Sequence, residues 1–157
     1  DVGYNQLAWK LRQDERVINM EKHNIRTVTP EQLGELVDFI SIDVAFISLD
    51  KVLPVATTLL KDTGSLVALI KPQFEAGKEK VGKGGIVRDR LVHEEVLQRI
   101  LQFAYDCRLY LHGLTFSPIK GTEGNIEFLG YFTKSEDDAL SITDELITAV
   151  VDEAHAL

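Results

Sequence analysis

Residues 64–90 read GSLVALIKPQFEAGKEKVGKGGIVRDR, and the way this stretch is parsed decides the fold. Ser65 to Ile70 is a short apolar run bounded by Gly64 on one side and Lys71-Pro72 on the other. Such a run reads as a buried strand. Proline bars its simple continuation, since it has no N–H for the ladder. A core strand therefore ends on a lysine at the mouth of a long loop of glycines and basic residues. Beyond the loop, Asp89 stands where a helix N-cap belongs. Val92, Val96, Ile100 and Phe103 then recur on one face of a helix running to about Asp106, flanked by Leu97, Leu101 and Ala104.

Outward from this strand–loop–helix unit the same alternation repeats. On the N-terminal side, NQLAWKLRQD predicts a short helix and RVINM a short strand. Thr29 is a cap candidate with Pro30 at the first helical position, opening a helix over TPEQLGELV. FISID predicts a second buried strand that ends at Asp43. SLDKVLPVATTLLKDTG predicts a helix closed by Gly64, with its regular part beginning near Lys51 because of Pro54. On the C-terminal side, RLYLHGLTF and NIEFLGYFT are two strands joined by the turn-rich SPIKGTEG, so an antiparallel pair is expected. An acidic amphipathic helix over about 138–156 follows a core of about 1–134. Strands alternating with helices predict an α/β fold, a mostly parallel sheet covered on both faces with an antiparallel last strand.

Composition narrows the function classes. The 157 residues have 27% charged and 45% hydrophobic side chains and a formal net charge of -8. A chain this acidic is not a self-sufficient nucleic-acid binder, although a local basic patch is compatible with it. The single cysteine, Cys107, excludes an intrachain disulfide, and a reducing, cytoplasmic home is the simplest expectation. No apolar run reaches membrane-spanning length and no signal peptide is visible, so no membrane role is expected. The histidines, His23, His93, His112 and His155, show no metal-ligand spacing, and no metal is expected. Cys107 and Trp9 read as packing residues. The oligomeric state is not legible.

In open α/β sheets ligands bind outside the carboxyl ends of the strands. Three ionisable residues are attached there to otherwise apolar strands: Asp43, Lys71 and Glu127. Taken singly, each could be a strand end reaching the surface. Together they suggest a cleft, since buried charges persist when paired and perturbed charges gather at functional sites. The trio carries one cation against two carboxylates, so a site that deprotonates a hydroxyl would want one more cation. From Lys71 to Arg90 there are six basic and three acidic residues. This loop lacks the spacing of a phosphate-binding P-loop. Lys78, Lys80, Lys83 and Arg88 are candidates for phosphate-backbone contact, and the glycines predict a loop over 72–88 that is mobile alone and orders on binding.

The blocks DVGYNQLAWKLR, SIDVAFISL, ALIKPQFEAGKEKVGKGGIVRD and EGNIEF, in this order, resemble the TlyA, or hemolysin A, family of FtsJ-like ribosomal RNA 2′-O-methyltransferases over about Asp1 to Thr133. The resemblance implies a Rossmann-like fold that uses S-adenosyl-L-methionine and acts on ribosomal RNA or a ribosomal subunit. It implies a Lys-Asp-Lys-Glu tetrad in which Asp43, Lys71 and Glu127 supply the aspartate, second lysine and glutamate. It implies Asp1 as the acidic contact to the cofactor ribose, Asn24 in the adenine-side loop, and Asp43 also facing the cofactor. The first lysine, the glycine-rich cofactor loop and an S4-like RNA-binding domain would all lie upstream, making the chain an N-terminally truncated catalytic domain, incomplete for catalysis alone. Two other readings are an RNA-binding protein with a degenerate site and the membrane-lytic activity that the hemolysin name suggests.

Overall fold

The computed structural model describes all 157 residues. Its centre is a four-stranded sheet in the order β1-β2-β4-β3. The strands are β1 (Val37–Ile42), β2 (Leu60–Ile70), β3 (Tyr110–Phe116) and β4 (Phe128–Thr133). β1 is parallel to β2, and β4 is antiparallel to both β2 and β3. Three strands therefore point the same way and the last points back, the direction pattern expected from the sequence.

Four helices are single turns or little more: α1 (Trp9–Arg12), α2 (Pro30–Leu33), α3 (Leu53–Leu59) and α4 (Pro72–Glu75). Two are long, α5 (Arg90–Asp106) and α6 (Asp144–His155). The caps follow local chemistry. Thr29 and Gln32 close a reciprocal capping box at α2. The Asp89 carboxylate accepts the Leu91 N–H at α5, and the Thr143 hydroxyl accepts the Leu146 N–H at α6.

Side-chain alternation sorts the sheet into two unlike faces. Leu66, Ala68 and Ile70 of β2 and Phe128 and Phe132 of β4 are fully buried, in one cluster with Val96, Leu97, Ile100 and Leu101 of α5 and Ile147 and Val151 of α6. Burying each such Leu, Ile or Phe is worth about 1.5–3 kcal/mol, so this face holds the fold together. The opposite face is not closed. Val67 and Leu69 are half-buried, while Phe39 of β1 and Tyr131 of β4 are exposed. The expectation of a sheet covered on both faces fails there, because no helix of these residues lies over Phe39.

Three further expectations are corrected. RVINM is not a strand: no ladder partner exists for it, and the nearby backbone bonds instead tie Met20, Lys22 and His23 to Asp1 and Gly3. Gly64 does not cap a helix. α3 stops at Leu59, and β2 takes up the chain from Leu60, with Gly64 inside the strand. A Cβ on Gly64 would come 2.5 Å from Leu60 Cδ1 and 2.9 Å from the Asp38 carbonyl, so the residue serves the close approach of β1 and β2. Trp9 is not packed, being 69% exposed on a helix of only four residues.

His93, at 0% exposure in the first turns of α5, joins the core to α6. Its Nε2 donates to the Val87 carbonyl at 3.0 Å, and its Nδ1 lies 2.8 Å from His155 Nε2. The pair can hold no more than one extra proton, because two imidazolium rings would oppose N–H to N–H. Burial holds both rings below the usual histidine range; the neighbouring Arg90 and Lys120 add to this at His155. A histidine with a depressed folded-state pKa gives stability that is full above the unfolded value of about 6.5 and is lost as pH falls through the folded value. Denaturant midpoints should therefore drop as pH is lowered from about 7 to about 5. His93→Gln should be less stable at neutral pH and lose most of that slope; an unchanged slope would remove the pair from the account.

Candidate active site

Parallel β1, β2 and β3 deliver their carboxyl ends to one edge of the sheet, and antiparallel β4 begins at the same edge. Asp43 follows β1 directly, Lys71 follows β2, and Glu127 immediately precedes β4. The β2–β4 ladder pairs Ile70 with Phe128, so the next step along both chains sets Lys71 beside Glu127. All three residues singled out in the sequence therefore meet at one edge, and Lys71 and Glu127 continue the alternation of the open face.

Lys71 Nζ lies 2.6 Å from Asp43 Oδ1. The lysine side chain is only 15% exposed, whereas that of Asp43 is 72% exposed. A half-sunk ammonium is thus held at the lip of the edge by a carboxylate that faces solvent. Glu127 is buried at 6% exposure. Its Oε2 accepts the Gln73 amide N–H at 2.8 Å, and its main-chain carbonyl accepts the Ser117 N–H at 2.8 Å. Gly121 makes room for its carboxylate: a Cβ there would collide with Oε2. A side chain at residue 121 would evict the Glu127 head group.

The turn α4 locks this arrangement, a role the sequence did not suggest. Lys71 is the N-cap residue of α4, so strand end and turn are one piece. Glu75, counted in the sequence only as one of three acids in the loop, has a side chain just 2% exposed. Its carboxylate accepts Ser48 Oγ–H at 2.6 Å, Leu49 N–H at 2.9 Å and Arg99 Nη2 at 3.0 Å. Arg99 also donates to the Glu75 carbonyl at 2.7 Å. Glu75 thereby ties the segment after Asp43, the turn after Lys71 and helix α5 to one carboxylate. Removing it strands buried donors, so Glu75→Ala should cost about 2–4 kcal/mol. Glu75→Gln, which keeps an acceptor but loses the charge, should cost about 1–2 kcal/mol. Chemical denaturation checks both, and a loss below about 0.5 kcal/mol for the alanine variant would show that the clamp is not structural.

The loop over 72–88 has more structure than its glycines suggest. It contains α4 and a single 3-10 turn at Lys78–Lys80, and its far end is held by Asn125. That side chain, 1% exposed, accepts the Val87 N–H and donates to the Gly85 and Thr122 carbonyls. Asn125 lies two residues before Glu127, so the loop and the β4 entry are fastened together. Of the four basic candidates, Lys80 is engaged with Glu95 at 2.5 Å. Lys78, Lys83 and Arg88 form no ion pair, and Arg88 donates only to the Lys83 carbonyl.

Asp1 and Asn24 come together away from the loop. The His23 N–H donates to the Asp1 carbonyl at 2.8 Å, and the Asp1 carboxylate accepts the Gly3 N–H at 2.7 Å. Asn24 Oδ1 caps the turn Ile25–Thr27 through the Arg26 N–H at 3.0 Å. Asp1 is exposed and Asn24 half-buried. No group of three or more His, Cys, Asp or Glu side chains is gathered for a metal, and no helix is long and apolar enough to cross a membrane. Cys107 is partly buried, and burial pushes its thiol up.

A model of the FtsJ-like methyltransferase family matches residues 1–134. A Bacillus subtilis protein named "Putative rRNA methyltransferase YqxC" is 51% identical over 158 aligned positions, covering 99% of this chain and 56% of the relative. The Mycobacterium tuberculosis protein named 16S/23S rRNA (cytidine-2'-O)-methyltransferase TlyA is 40% identical over 141 positions, covering 90% of this chain and 53% of the relative. Among solved structures, one titled "Putative hemolysin from Streptococcus thermophilus" superposes with a TM-score of 0.92 at 48% identity, covering 99% of this chain and 56% of that one. The chain thus spans little more than half the length of these relatives.

Proposed function

The chain belongs to the FtsJ-like methyltransferase family, and from that premise we propose that it supplies the catalytic edge of an enzyme that methylates ribose 2′-hydroxyls of ribosomal RNA. The observation that carries the proposal is the half-buried Lys71 ammonium, paired with Asp43 at 2.6 Å and flanked by Glu127 at the start of the neighbouring strand. The names of relatives support the choice of ribosomal RNA as substrate. Some relatives carry a hemolysin name, but a lytic activity would leave this cluster of charges without a purpose. A protein that only binds RNA would likewise not need Lys71 paired with Asp43 beside a buried Glu127.

S-adenosyl-L-methionine, when bound, supplies an electrophilic methyl group on a sulfonium. The residues present suit such a cation and its ribose: Asp43 offers a largely exposed carboxylate at the carboxyl end of β1, and Asp1 and Asn24 offer polar groups in segments joined by the Asp1–His23 main-chain bond. Lys71 Nζ faces the reacting hydroxyl; once it has released one proton to solvent, its neutral amine accepts the hydroxyl proton as the oxygen is alkylated. Asp43 fixes that nitrogen through their ion pair, and Glu127 orients the hydroxyl. Positioning supplies much of the rate, since attack needs the oxygen in line with the transferred carbon. The phosphates on either side fall to Lys78, Lys83 and Arg88, with Lys80 available only by leaving Glu95.

The test is transfer of labelled methyl from S-adenosyl-L-methionine to ribosomal RNA by the protein expressed from its complete reading frame, followed by alkaline hydrolysis. A methylated ribose blocks cleavage at its own phosphodiester, so the label should remain in an uncleaved dinucleotide. Label recovered on a base, or none on RNA, would overturn the proposal.

A further inference from the structure

Gln73 is the one side chain that touches Glu127 through a hydrogen bond, and only half of its amide is used. Its Nε2 donates to Glu127 Oε2 at 2.8 Å, while its Oε1 is buried and has no partner. A buried amide oxygen without a donor is disfavoured. Rotating the amide by half a turn does not relieve it, because that would set the oxygen against the Glu127 carboxylate. The charge on Glu127 thus fixes the amide with Nε2 toward the carboxylate. Gln73 is also held from both sides in sequence: Pro72 and Lys71 begin the same turn, and Glu75 two residues on is clamped to Arg99 and Ser48. An amide donor fixed in a clamped turn, two residues from Lys71, thus sets the position of a buried carboxylate.

We infer that Gln73 is a positioning residue of the site: through Nε2 it holds the Glu127 carboxylate where that carboxylate can orient the reacting hydroxyl. This rests on the function proposed above.

Two variants test it in single-turnover methyl transfer to ribosomal RNA, with wild type alongside. Gln73→Leu keeps the volume and loses both hydrogen bonds; its transfer rate at saturating RNA should fall about 10–100-fold, with RNA affinity changed less than about threefold. Gln73→Glu sets a second carboxylate against Glu127. Two adjacent acids cannot both ionise freely, so one proton is retained. While it is held, the protonated acid imitates the amide donor, and when it leaves, the two charges repel. The rate of this variant should therefore fall as pH rises across a range where wild type does not fall. A residue that merely fills space would not create such a limb. Melting curves verify that both variants fold. Wild-type transfer with a Gln73→Leu rate within threefold of it, or a Gln73→Glu profile parallel to that of wild type, would overturn this inference alone. No transfer by wild type would overturn it together with the function it rests on.

Discussion

Lys71→Ala should leave the protein folded and able to bind RNA, yet almost unable to transfer a methyl group. The structure separates these properties. The Lys71 ammonium is at the sheet edge, 2.6 Å from Asp43, and Lys71 is not among the residues of the buried core. Ile70 before it and Pro72 after it are buried and stay so in the variant. Loss of a positioned proton acceptor typically costs about 10²–10⁴ in rate. Lys71→Arg should not recover it, because a guanidinium keeps its proton and its planar fork does not fit a site made for a single nitrogen. The measurement is single-turnover transfer at saturating cofactor and RNA, with RNA affinity followed separately. Near-normal turnover in Lys71→Ala would remove it as the acceptor, and the Lys71–Asp43 pair would stand as a structural feature of the sheet edge.

The sequence was most legible where strand periodicity and capping chemistry act within a few residues. Thr29, Asp89 and the apolar face of α5 lie where local rules place them. The three charged residues at the sheet edge were also legible, since a lysine or carboxylate at the end of an apolar strand conflicts with burial unless it has a partner. The misreadings have a common cause: they involve contacts distant in sequence. RVINM has strand character but no neighbouring strand to bond. Gly64 looks like a helix stop, yet it is placed by the approach of Asp38. Glu75 is one ordinary acid in a basic loop until Ser48, Leu49 and Arg99 surround it. Gln73 and Asn125 carry no charge and fit no motif spacing, so only the fold reveals that one reaches Glu127 and the other fastens the loop. The half-covered sheet face was likewise hidden, because strand hydrophobicity does not record which helices lie over it.

The second large effect concerns RNA affinity, and it divides the loop cations into two kinds. Lys78, Lys83 and Arg88 are exposed and form no ion pair, whereas Lys80 is held by Glu95 at 2.5 Å. A paired lysine must give up its partner before it can meet a phosphate, which offsets part of the gain even for an exposed pair. Reversing Lys78, Lys83 and Arg88 together to glutamate should weaken ribosomal RNA binding roughly 10²-fold at low salt. Abolishing one cation–phosphate pairing should reduce the slope of log affinity against log salt by about 0.7–0.9, so the triple variant should be shallower by about 2–3 units of slope. Lys80→Ala, by contrast, should shift affinity by less than about threefold. Cofactor binding should be unaffected by either change, because these residues lie on the RNA side of Lys71 in the proposed arrangement and none contacts Asp43. Filter binding or fluorescence anisotropy across a salt series reads all of these quantities. A triple variant with the wild-type slope would place the RNA elsewhere on the protein. Equal reductions from Lys80→Ala and from a single Lys83→Ala would show that the Lys80–Glu95 pair opens at no cost, and that the loop presents four cations rather than three.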